Sequence, residues 1–66
     1  MRPHLTKHAR DRIAQRKIPI GLIDRCFYEG VSIGPGNKPN TEKIALEEIT
    51  IIIDIYTISV ITAYWN

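Results

Sequence analysis

The sequence predicts one α+β domain, residues 1–66, with two N-terminal helices packed on a three- or four-stranded antiparallel sheet. Three observations lead there. The chain has 66 residues, enough for one hydrophobic core and no more. Up to Gly30 its apolar residues recur at helical spacing, whereas the C-terminal third is dominated by the Ile, Val, Thr and Tyr that suit a pleated surface. Between these parts lies Gly-Pro-Gly-Asn-Lys-Pro-Asn, residues 34–40, whose prolines remove donors and whose glycines permit unusual dihedrals.

The first helix is predicted over residues 7–16. Thr6 is a suitable N-cap, and no Gly or Pro interrupts the run that follows. Leu5, Ala9 and Ile13 form an apolar row at four-residue spacing, so the helix buries a narrow stripe. The second helix is predicted over residues 19–29, with Pro19 in its first turn and Gly30 just past its end. Leu22, Ile23, Cys26 and Phe27 give it a wider apolar face, making it the main core helix.

Residues 34–40 read as an exposed linker, because no strand-to-helix context accompanies them as it would in a phosphate-cradling loop. Strands are predicted over residues 43–47, 48–54 and 57–64, as an antiparallel meander. Asp54-Ile55-Tyr56 supplies the last turn. Apolar residues at 51, 52 and 53 cover both faces of their strand, which places it centrally.

Charge is unevenly divided. Residues 1–25 hold seven Lys/Arg against two Asp, and residues 26–66 hold two Lys against five Asp/Glu. A positive helical face of this kind attracts anions such as phosphate, although an ordinary solvated helix has a similar composition. Cys26 is the one cysteine, so no intramolecular disulfide forms, and a reducing, cytoplasmic setting is expected. The isoleucine runs are short and Asp54 interrupts them, so no membrane partner is expected.

His8, Arg12 and Arg16 recur every four residues and therefore stack along one helical row. Imidazole is the side-chain type that exchanges protons near neutral pH, and guanidinium binds phosphate in a bidentate fork. Together they suit phosphodiester chemistry. Lys7 and Arg10 extend the positive surface. Pairing of the two arginines with Asp11, Asp24 or Glu29 is the competing structural explanation.

Other constellations are weaker. His4 and His8 have a metal-pair spacing, but no Cys or carboxylate completes a set, so neither metal nor cofactor is expected. Cys26 lies on an apolar helix face and reads as a small core residue. Tyr56, Tyr64 and Trp65 suit base stacking, and equally suit packing at strand ends.

The order His8-Ala9-Arg10-x-Arg12-Ile13-x-x-Arg16-x-Ile18, then Ile23, Gly30, Ile52-Ile53-Asp54 and Ile61-Thr62-Ala63-Tyr64, resembles the family of domains of unknown function numbered 4258. The similarity spans nearly the whole chain. It departs after Tyr64, where this sequence has Trp65-Asn66 and family members often continue with Pro and further basic residues.

The resemblance implies a RelE/barnase-like fold, shared with toxin ribonucleases and the colicin-like ribonucleases. It marks His8, Arg12, Arg16 and Thr62 as candidate catalytic positions. With Lys7 and Arg10, it makes Arg12, Arg16 and Tyr64 candidate RNA-binding residues. The expected activity is that of a small, metal-independent endoribonuclease, and the alternative is a non-catalytic RNA-binding or protein-interaction module. Expected partners are RNA and an antitoxin or other protein, with homo-oligomers also compatible.

Overall fold

A computed structural model describes residues 3–66 and places two α-helices on one five-stranded mixed sheet. The elements in chain order are β1 (His4–Leu5), α1 (Lys7–Gln15), α2 (Ile20–Glu29), β2 (Val31–Pro35), β3 (Thr41–Leu46), β4 (Ile49–Asp54) and β5 (Ser59–Trp65). Strand order is β1-β5-β4-β3-β2, so β4 is central as its doubly apolar sequence requires.

The sheet is larger than the three or four antiparallel strands expected. β1 pairs in parallel with β5, through His4 with Ser59 and Leu5 with Val60, which makes the sheet mixed. Two residues carry no periodicity, so such a strand is invisible to pattern reading. β2 pairs antiparallel with β3 at the other edge, and a register shift between Ser32 and Gly34 interrupts it. This short strand was hidden by the Gly and Pro at its end.

Thr6 starts α1 in three ways. Its Oγ1 accepts from the Ala9 N–H at 3.1 Å and donates to the Ile61 carbonyl at 3.4 Å, while its own N–H donates to the Val60 carbonyl at 3.1 Å. The cap thereby fixes α1 to β5. At the other end of α1, the Lys17 N–H donates to the Ala14 carbonyl and the Ile18 N–H to the Ile13 carbonyl, with Lys17 at φ 56. This is a Schellman closure with lysine where glycine is usual, and Ile18 is buried beside Ile13.

Pro19 is the N-cap of α2 rather than its first helical residue. Gly30 ends the helix at an ordinary φ of −70. Glycine is required there by crowding, since a Cβ would lie 2.6 Å from Ile44 Cγ2 and 2.9 Å from the Ala45 carbonyl oxygen.

Both helices lie on one face, α1 on β5 and α2 on β3 and β4. Ala9, Ile13, Ile18, Ile23 and Cys26 meet Ile44, Ile49, Ile51, Val60 and Ala63 there. Ile23 and Cys26 are fully buried, while Leu22 and Phe27 sit at the margin. Phe27 packs edge-to-face on Tyr28, with ring centroids 5.0 Å apart, and is less central to the core than its helical position suggested. No helix among the described residues is long and apolar enough to cross a membrane.

Candidate functional site

On the sheet face opposite the main core, residues 34–40 fold back over the strands. The Gly36 N–H donates to the Thr41 carbonyl at 3.1 Å, Thr41 Oγ1 donates to the Lys38 carbonyl at 2.5 Å, and the Ile55 N–H donates to the Asn40 carbonyl at 3.0 Å. Gly36 sits so close to Thr41 and Ile52 that a Cβ would collide with the Thr41 hydroxyl. The predicted exposed linker is largely exposed and is also tied to the sheet on both sides.

Between this loop and the start of α1 lies an open cleft of about 470 Å³. Ile52, Ile61 and Thr62 form its floor, Thr6 and His8 one wall, and Asn37, Lys38 and Thr41 the other. Its size suits a small ligand or one nucleotide of a longer chain. An apolar floor with polar walls matches an amphipathic ligand. Among the described residues that line it, Lys38 carries the formal charge and no carboxylate is present.

The floor depends on a β-bulge. Ile52 pairs with Thr62 but Ile53 pairs with Val60, leaving Ile61 without a partner on β4. In a regular strand, neighbours point to opposite faces. A bulge re-aims one of them, so Ile61 and Thr62 both line the cleft. Thr6 holds the bulged segment through the Ile61 carbonyl.

The structure brings His8 and Thr62 to one cleft and leaves Arg12 and Arg16 of the predicted helical row outside its lining. Arg12 is half-buried and donates to Gln15 Oε1 at 2.8 Å. Arg16 donates to the Ala63 carbonyl at 2.7 Å, and its own carbonyl accepts from Trp65 Nε1 at 2.7 Å. Neither arginine lines the cleft. Of the acidic partners considered for them, Glu29 meets Arg25 at 3.5 Å, and Arg25 also reaches Glu47 at 3.4 Å.

Lys7 and Arg10 are exposed on α1, and Tyr64 lies two residues beyond Thr62 on the same strand face. Sequence reasoning missed Thr6, Asn37, Lys38 and Thr41 as cleft residues. One signal was available: Lys38 is one of only two basic residues after Arg25, and it stands in a Gly/Pro-rich loop.

Burial pushes the Cys26 thiol up, against a smaller opposing effect from a backbone hydrogen bond at Ile51, and its Sγ donates to the Ile44 carbonyl at 3.4 Å. It is a core residue, not a nucleophile at neutral pH. Asp54 is held below the usual carboxylate range by the N–H groups of Thr57 and Tyr56, which donate to its Oδ1 at 3.0 and 2.8 Å. Its charge serves the β4–β5 turn. Among the described residues, no group of three or more His, Cys, Asp or Glu is placed to hold a metal ion.

Compared with family models, curated proteins and solved structures, the chain has no significant match in any of the three.

Proposed function

We propose that the chain binds single-stranded RNA across this cleft and acts on it as a small, metal-independent endoribonuclease of toxin type, with a RelE/barnase-like fold. The observation that carries the reading is that His8 and Thr62, far apart in sequence, line one cleft with an apolar floor and no carboxylate. A base or ribose rests on Ile52 and Ile61, leaving the backbone phosphate at the polar walls.

In this reading, His8 takes the proton of a ribose 2′-hydroxyl as that oxygen bonds to the adjacent phosphorus. The bond from phosphorus to the 5′-oxygen then breaks, and that oxygen acquires a proton from water. The products are a 2′,3′-cyclic phosphate and a 5′-hydroxyl. Thr62 orients the phosphate. Lys7 and Arg10, with Tyr64 on the strand, extend the contact beyond the cleft along the RNA backbone, while Arg12 and Arg16 hold protein acceptors.

A second reading, a non-catalytic RNA-binding module, is favoured by one observation. Both arginines of the predicted catalytic row already hold protein acceptors and lie outside the cleft lining. Incubation of the protein with labelled single-stranded RNA in EDTA separates the two readings. Cleavage supports the first, and salt-dependent binding without cleavage supports the second. Absence of salt-dependent binding contradicts both.

A further inference from the structure

We propose that Lys38 holds the phosphate in this cleft, in the role that helical spacing assigned to Arg12 and Arg16. The inference deepens the RNA reading and rests on it for the identity of the ligand, but the phosphate site itself can be tested separately.

The Arg16 guanidinium bridges to Ala63 and that of Arg12 to Gln15, so redirecting either toward a ligand breaks an existing bond. Lys38 lines the cleft and is exposed, and its ammonium is a compact charge with three donors. The Asn37 amide and the His8 ring in the walls and the Thr62 hydroxyl in the floor add further polar groups. Among the described lining residues there is no carboxylate to repel an anion.

The loop that carries Lys38 is already positioned. Pro39 biases the preceding residue toward extended backbone, the Lys38 carbonyl accepts from Thr41, and the segments on either side are hydrogen-bonded to β3 and to the β4–β5 turn. A loop ordered on folding has less entropy to lose on binding. The four-carbon stem of Lys38 then supplies the remaining adjustment.

The test is titration of the whole protein, followed by amide NMR for inorganic phosphate and by fluorescence anisotropy for a labelled single-stranded oligoribonucleotide at several salt concentrations. In wild type, phosphate should shift the amides of Thr6, Lys38 and Thr62. Lys38→Ala should abolish those shifts, weaken RNA binding at least about fivefold at low salt and flatten the salt slope by about 0.7. Lys38→Arg should retain most of the binding, and Arg12→Ala should leave the phosphate shifts unchanged.

RNA binding by Lys38→Ala with wild-type affinity and slope would overturn the role of Lys38 and leave the RNA reading standing. Phosphate binding that depends on Lys38, without RNA binding by wild type, would support the anion site and overturn the RNA reading. Binding of neither probe by wild type would overturn both. The amide spectrum of each variant reports in the same experiment whether the fold is intact.

Discussion

The indole Nε1 of Trp65 donates to the main-chain carbonyl of Arg16 at 2.7 Å, while the guanidinium of Arg16 donates to the Ala63 carbonyl at 2.7 Å. The end of α1 and the end of β5 are thus tied by two hydrogen bonds of opposite sense. Arg16 is a fastening of the fold at the position where spacing suggested a free phosphate ligand.

Arg16→Ala should therefore act on stability. One charge-assisted, part-buried bond is lost, a cost of about 0.5–1.5 kcal/mol, and a domain of this size should melt several degrees lower. The slope of RNA affinity against salt should stay close to wild type. Unchanged thermal unfolding with a flatter salt slope would return Arg16 to the RNA-binding surface.

Lys17 and Ile58 hold positive φ, at 56 and 55. Side chains with a Cβ are disfavoured there, and a β-branched residue most of all. Both are exposed, so little packing is lost on replacement. Lys17→Gly and Ile58→Gly should each stabilise the domain by about 0.5–1 kcal/mol, seen as a higher melting temperature. A lower melting temperature for Ile58→Gly would mean that its partial burial outweighs the backbone strain.

Asp54 accepts from two backbone N–H groups, and its folded pKa lies below the ordinary value. The carboxylate is favoured by the fold, so its contribution is complete above the unfolded pKa of about 3.9 and is lost as pH falls through the lower folded value. Asp54→Asn keeps an acceptor oxygen but cannot titrate. Its stability should decline less between pH 4 and acid than that of wild type, measured by urea unfolding at each pH. Parallel acid limbs for the two proteins would remove Asp54 from the acid sensitivity.

The helices were legible in the sequence because Thr6, Pro19 and Gly30 punctuate them and Ala9, Ile13, Ile23 and Cys26 repeat at helical spacing. The central position of β4 followed from apolar residues on both its faces. The edge strands were not legible, since β1 has two residues and β2 ends in Gly34 and Pro35.

At the site, helical spacing points to His8 and the family resemblance to Thr62, but the cleft between them depends on a bulge at Ile61 and on a loop folding over Ile52. Neither leaves a periodic trace. Helical spacing put Arg12 and Arg16 in line with His8, yet it carries no information about the carbonyl of Ala63, which lies on a strand remote in sequence.

The proposed proton transfer by His8 in RNA cleavage is tested by comparing wild type with His8→Ala on labelled single-stranded RNA in EDTA. Wild type should produce 2′,3′-cyclic phosphate ends and should spare the same substrate carrying a 2′-deoxy sugar at the cleavage position. His8→Ala should cleave about a hundredfold more slowly or less, with RNA affinity retained. Full activity in His8→Ala, or equal cleavage of the 2′-deoxy substrate by wild type, would contradict the account.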